Sequence, residues 1–281
     1  MSTPALITFA LSLADDALVL GHRLSEWSSK APSLEEDIAL SNLGLDLIGQ
    51  ARLFYQLAAT IEAKGRDEDQ FAYFREAADF RCIGLVQLPK GDFAFTMARH
   101  LVYAAFVHPY FEALANGLAN GVRPLSFGAE ARAESFAERG LTPSSQTPTS
   151  ALAEIASKAV KEMAYHVRHA SEWVIRLGDG TTESRRRMIA GLEGVWPYTG
   201  ELFEMDAEEQ SLVEAGIVPD RALIKPRWAA TIDRVLAEAT LEAPPSGPLH
   251  TGGRAGRHTE HLAPMLAEMQ SLARAHPGVT W

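Results

Sequence analysis

Acidic, amide and imidazole side chains recur at helical spacing along four long apolar segments of the chain. Residues of these types are typical of a metal centre between helices, of an acid–base site, or of a buried polar network. A carboxylate in a helical core needs such a role, because an unpaired buried charge is too costly to keep ionised. We call these candidate site residues the polar seam: Asp15, His22, Asp46, Gln50, Glu112, Glu162 and His166.

A di-iron carboxylate site in a helical bundle needs one acid from each of two helices and a Glu-x-x-His pair from each of the other two. None of the nine histidines has an acid three residues before it. In the second helix the pair would fall on Leu47 and Gln50. In the fourth helix the residue three positions after Glu162 is Tyr165, and His166 comes one position too late. Leucine cannot bind iron, and an amide is a poor substitute for imidazole. We therefore predict neither a metal ligand set nor a catalytic residue, and interpret the seam as vestigial.

Two other uses of the seam remain open. The first is a self-sufficient metal-dependent oxidase or hydroxylase with an unconventional ligand set, built from Asp46, Glu112, Glu162 and His166. The second is a helical protein that binds a small polar molecule along the seam. The interpretation we favour is a network of paired charges and amides, which can persist in a core when each member is satisfied.

Two other features, the His-x-x-His pairs and the cysteine, are weaker evidence for a functional site. Two His-x-x-His pairs, His166 with His169 and His258 with His261, would bind zinc only with further ligands, and the sequence supplies no complete set. Cys82 is the only cysteine and is surrounded by apolar residues, so we expect a small core residue.

Long helical periodicity dominates the chain, and no sustained alternating pattern predicts strands. Ser33 and Glu36 predict a capping box for the second helix, which is apolar on nearly all sides and therefore belongs in the middle of a bundle. Four long helices with a crossover between the second and third predict an all-α, ferritin-like helical bundle with additional C-terminal helices. The expected long helices cover residues 4–27, 34–61, 93–116 and 151–177, and Asp92 is the expected cap of the third.

We expect residues 1–281 to form a single ferritin-like domain. Gly, Pro, Ser and Thr accumulate in residues 117–149, which predicts a flexible insertion. Residues 243–257 predict a linker to the C-terminal helix.

Charge and composition limit the compartment and the partners. The chain has 26 Lys and Arg against 36 Asp and Glu, a net charge of −10, and no basic cluster, so we expect no contact with nucleic acid or an anionic membrane. We find no stretch near the ~20 apolar residues that a membrane span requires, and no basic residue ahead of the N-terminal apolar run as in a signal peptide. A single cysteine fits a reducing compartment, so we expect a cytoplasmic protein.

Long ordered segments of the chain resemble one known family, the C subunits of phenylacetyl-CoA 1,2-epoxidases. The similarity extends from about Leu11 to Trp281, and residues 117–149 are longer than expected for that family. The segments that carry the resemblance are DIALSNLGLDLIGQARLF (37–54), KAVKEMAYHVRHASEWVIRLGDGT (158–181), ELF (201–203) and TGGRAGRHTEHLAPMLAEMQ (251–270).

The resemblance implies a fold similar to the di-iron oxygenase subunit, without its metal ligands, and a role as a non-catalytic scaffold with no cofactor of its own. It implies a complex with the oxygenase A subunit, which holds the di-iron centre, and a small B subunit. A reductase with a flavin and an iron–sulfur cluster would bind transiently. Such a complex epoxidises the ring of phenylacetyl-CoA with oxygen and NADPH in aerobic phenylacetate breakdown. Candidate anchors for the partner are Trp27, Trp173, Trp196, Tyr198 and Trp228.

Overall fold

The computed structural model describes residues 3–119, 147–245 and 247–279. Over these ranges the chain forms ten α-helices and five short 3₁₀ turns, without a β-strand. The helices are α1 Thr3–Ser25, α2 Leu34–Glu62, α3 Glu68–Tyr73, α4 Gly84–Gln87, α5 Phe93–Ala119, α6 Pro148–Gly178, α7 Thr182–Val195, α8 Ala207–Glu214, α9 Lys225–Glu238 and α10 Leu262–Ala275. The insertion predicted at 117–149 lies mostly outside the described residues; its two ends belong to α5 and α6.

The four long helices form the predicted ferritin-like bundle. α1 packs along α2, α5 packs along α6, and the two pairs meet where α2 contacts α6. The shorter helices surround this bundle, with α7 and α9 against α5, α8 against α1, and α10 against α3. The polar seam is therefore positioned by helices that are distant in sequence.

α1 supplies much of the core, and its large apolar residues Leu6, Phe9, Leu13, Leu20 and Leu24 are all buried. Contrary to the sequence-based expectation, this helix is long and apolar enough to cross a membrane by length and composition. Within the fold, however, 78% of its apolar window is buried. Core helices of globular bundles pass the same test, and here the apolar surface packs against protein.

α2 differs from the prediction, because it is not buried on all sides. On one side of the helix Leu40, Leu43 and Leu47 are fully buried in the core. On another side Leu34 and Leu45 are both largely exposed. The helices that pack on α2 are α1, α6 and α3, and they leave this side uncovered.

The cap of α2 was predicted correctly, but the capping box was not. The Ser33 hydroxyl accepts a hydrogen bond from the backbone N–H of Glu36 at 3.4 Å. The Glu36 carboxylate instead reaches across to α6 and lies 2.9 Å from Nε2 of His169. A tertiary contact thus takes the acid that the local motif would use.

The start of α6 also differs from the prediction. The helix begins at Pro148, and the hydroxyl of Thr147 caps it by accepting from the backbone N–H of Ser150 at 3.2 Å. Proline suits this first helical position because its missing N–H would have no helical partner there.

Candidate functional site

Four of the seven seam residues meet where α2 contacts α6. Nε2 of Gln50 donates a hydrogen bond to the Glu162 carboxylate at 2.9 Å. Nε2 of His166 lies 3.3 Å from Oδ2 of Asp46. Gln50 and His166 are buried, whereas the two acids are partly exposed. Each acid of this group is therefore bonded to an amide or an imidazole of the opposite helix.

The structure places His100 of α5 in this region as well, although the sequence did not indicate it as a site residue. Its side chain is fully buried, and its ring centroid lies 5.0 Å from that of His166. Neither ring nitrogen has a hydrogen-bond partner among the described residues. Burial lowers the pKa of His100 well below its ordinary value, and the nearby His166 acts in the same direction, so the ring is neutral. Met97 precedes it by three residues, so no sequence motif marks this position.

Asp15 does not join the α2–α6 group; it lies in a separate network on another side of α2. Its carboxylate accepts hydrogen bonds from the Tyr55 hydroxyl at 2.5 Å, from the backbone N–H of Arg81 at 2.7 Å, and from the guanidinium of Arg75. Burial alone would lower the pKa of Arg75, but the Asp15 carboxylate outweighs it and raises that pKa. This network joins α1 to α2 and to the segment that follows α3.

The neighbouring acid Asp16 also connects α1 to segments that are distant in sequence. It accepts from the backbone N–H of Ile83 at 2.9 Å and pairs with the Arg254 guanidinium at 2.6 Å. Burial raises the pKa of Asp16, while Arg254 opposes the rise. The C-terminal segment is thereby tied to the first helix of the bundle.

Glu201, part of the ELF motif, completes this attachment. Its carboxylate accepts from the backbone N–H of Gly84 at 2.7 Å and from that of Gly253 at 2.5 Å. The end of the predicted linker at 243–257 is thus held against α4 by one buried acid. The motif that carried part of the family resemblance has a structural role here.

His22 and Glu112 also lie apart from the α2–α6 group. His22 is partly buried on α1, where burial lowers its pKa and Glu26 opposes the shift. Glu112 of α5 pairs with Arg227 of α9 at 2.5 Å and lies 3.6 Å from Nε2 of His108. The seven seam residues therefore do not form a single group, because helical spacing fixes the side of a helix but not the neighbour that this side meets.

The unconventional ligand set is not assembled either, because Glu112 faces α9 whereas Asp46, Glu162 and His166 lie between α2 and α6. Across the described part of the chain, no three acids, histidines or cysteines are grouped closely enough to hold a metal ion.

The α2 residues at the positions of a Glu-x-x-His pair do not fit a di-iron centre. Leu47 is fully buried and offers no donor atom, and Gln50 presents its N–H₂ group to Glu162. Part of the polar surface that a small ligand would use is already taken, because Gln50 bonds to Glu162 and Asp46 contacts His166. Oε1 of Gln50 and Nδ1 of His166 have no partner among the described residues.

The fold and this set of side chains define a class of protein: a bundle with the architecture of ferritin-like carboxylate proteins but without their Glu-x-x-His ligands. The chain belongs to the family of phenylacetic acid catabolic proteins, whose model matches residues 1–120 and 133–281. The gap between the matched ranges falls inside the predicted insertion. The chain is similar to the C subunit of the 1,2-phenylacetyl-CoA epoxidase of Escherichia coli (strain K12), with 39% identity over 276 residues, covering 98% of this chain and 99% of the relative. The family resemblance inferred from the sequence is confirmed.

Proposed function

We propose that this chain is the non-catalytic structural subunit of a phenylacetyl-CoA 1,2-epoxidase, which pairs with and stabilises the di-iron oxygenase subunit. The observation that carries the proposal is the direct bond between Gln50 and Glu162, at the contact where a metal-binding relative would place an imidazole. The identity with an epoxidase C subunit over almost the whole chain supports the same role.

The buried polar and charged side chains stabilise the fold of this chain. The Gln50–Glu162 bond and the Asp46–His166 contact hold α2 against α6, and the ion pair of Asp15 with Arg75 fixes the segment after α3. A bundle that does not open for oxygen or substrate can close around satisfied polar groups. Such a bundle presents a fixed surface, which lowers the entropic cost of binding a partner.

On this proposal the chemistry belongs to the other subunits. The di-iron centre lies in the oxygenase A subunit, a small B subunit is part of the same complex, and a reductase with a flavin and an iron–sulfur cluster binds transiently. The complex epoxidises the aromatic ring of phenylacetyl-CoA with oxygen and NADPH, in the cytoplasm. Our chain contributes the partner surface and no cofactor.

Reconstitution tests the proposal. The purified chain, the oxygenase subunit and their mixture are each supplied with reductase, NADPH and phenylacetyl-CoA, and epoxide formation is measured. We expect turnover only when the oxygenase subunit is present, and higher turnover when our chain is added. Glu162→Gln and His166→Gln chains that still assemble should support the same turnover. Epoxide formed by our chain without the oxygenase subunit would contradict the proposal.

A further inference from the structure

Three large aliphatic side chains form an exposed line along α2, which we call the α2 stripe. Leu34, Ile38 and Leu45 are exposed by 71%, 54% and 66%. Their spacing of four and seven residues places them on one side of the helix. Gly49 continues this side, and a Cβ atom added there would meet nothing within 4 Å. The stripe therefore ends in an open position where another helix could approach closely.

The stripe differs from the other exposed apolar side chains among the described residues. Leu223 and Leu249 are also exposed, but they lie singly in a 3₁₀ turn and an extended segment. Phe74, Leu272 and Val279 line a separate groove beside α10 and do not form a line along one helix. Single exposed apolar residues are ordinary, whereas an exposed apolar patch marks an interaction site.

The charges that α2 itself carries beside the stripe are acidic. No basic residue occurs between Leu34 and Ala51, while Glu35, Asp37 and Asp46 lie in this part of α2. The basic residue that follows, Arg52, is 2.9 Å from Glu68. A partner that covers the stripe should therefore carry basic residues beside its apolar side chains.

We infer that the α2 stripe is the docking surface for a helix of the di-iron oxygenase subunit, one whose apolar side is bordered by lysine or arginine. The inference rests on the proposed function and adds the location of the interface. Helices dock in grooves through apolar residues at this kind of spacing. A second copy of this chain fits less well, because a two-fold pairing of the same surface would bring its acidic border against itself.

The aromatic residues expected as anchors do not provide such a surface. Trp27 donates its indole N–H to Thr96 at 3.0 Å, and Trp228 donates to the carbonyl oxygen of Val102 at 3.1 Å, both inside the fold. The others pack at least partly against the core: Trp173, Trp196 and Tyr198. The exposed aliphatic residues of α2 replace them as candidate anchors.

Charged substitutions in the stripe test the inference on the intact chain. Leu45→Glu and Ile38→Glu should each weaken binding to the purified oxygenase subunit by about tenfold or more, because each puts an unpaired charge into an apolar contact. The matched control is Leu223→Glu, whose parent residue is 72% exposed and lies away from α2. It should change the dissociation constant by less than about twofold. Calorimetry gives the constants, and thermal unfolding verifies that the variants are folded.

The outcomes separate this inference from the proposed function. Wild-type binding that Leu45→Glu and Ile38→Glu leave unchanged would place the interface elsewhere, while the structural role of the chain would stand. An absence of wild-type binding to the oxygenase subunit would overturn both. A dimer of the chain alone that Leu45→Glu converts to a monomer would identify a second copy as the occupant and overturn the inference.

Discussion

The side-chain nitrogen of Gln50 on α2 lies 2.9 Å from the carboxylate of Glu162 on α6. In a di-iron bundle of this architecture, a histidine at the α2 position and an acid at the α6 position would both contact metal. Here the two side chains bond to each other directly. The contact between the helices is therefore made by protein groups, and this is the basis for proposing that the chemistry occurs in another subunit.

Removing Glu162 should weaken the fold without removing a catalytic group. We expect Glu162→Ala to lower the free energy of unfolding by about 1–3 kcal/mol, because the buried amide of Gln50 loses its acceptor. Urea denaturation measures the change. The control is Glu172→Ala, an exposed acid on the same helix, which should stay within about 0.5 kcal/mol. Loss of turnover by an assembled complex of unchanged stability would speak against our account.

The buried ion pair of Asp15 and Arg75 predicts a larger effect. Asp15→Asn keeps the size of the side chain but leaves the buried guanidinium of Arg75 without its carboxylate. We expect a loss of about 3–5 kcal/mol in the free energy of unfolding. Asp233→Asn, on the exposed side of α9, is the control. If both substitutions lower the free energy of unfolding equally, the Asp15 network does not fix the segment after α3.

Gly253 is a position where a methyl group should be costly. An added Cβ atom would lie 2.5 Å from the carbonyl oxygen of Cys82 and 2.9 Å from the Glu201 carboxylate. Gly253→Ala should therefore destabilise the chain by about 1–3 kcal/mol and speed hydrogen exchange in the C-terminal segment. At Gly247 the same substitution meets nothing within 4 Å and serves as the control. Equal effects of the two substitutions would mean that the Glu201 attachment is loose.

His100 predicts a loss of stability at acidic pH. In the unfolded chain this histidine titrates near 6.5, whereas in the fold burial holds its pKa well below that value. Below about pH 6.5 the unfolded state therefore binds more protons, and the free energy of unfolding falls by up to about 1.4 kcal/mol per pH unit.

A His100→Phe chain tests this sign, because it removes the titrating group from both states. Its free energy of unfolding should fall less steeply than that of the wild type as the pH drops below the ordinary pKa of histidine. His22 and His108, whose pKa values are also lowered by burial, remain in both proteins. The difference between the two slopes therefore isolates His100, and parallel slopes would refute the prediction.

The sequence was sufficient to predict the helices and some of their caps. Apolar periodicity located the four long helices, and the Asp92 carboxylate accepts from the backbone N–H of Phe95 at 2.9 Å, as expected for a cap of α5. These features depend on residues close together in the chain. The start of α6 was placed three residues too late, because Thr147, and not Ser150, caps the helix.

The grouping of the polar residues could not be predicted, because it depends on long-range packing. Asp15 pairs with an arginine sixty residues away, and Glu112 pairs with one in α9. The exposure of Leu45 could not be predicted either, because apolar residues of a core and of an interface follow the same pattern in the sequence. The absence of Glu-x-x-His pairs, by contrast, was readable directly from residue identities.

Iron analysis tests the central claim most directly. The chain and the oxygenase subunit are loaded with ferrous iron without oxygen, assembled, separated again, and analysed for iron. Our account predicts that the iron stays with the oxygenase subunit and that this chain retains none in stoichiometric amount. Tightly bound iron in this chain that is lost in a Glu162→Gln or His166→Gln variant would contradict it.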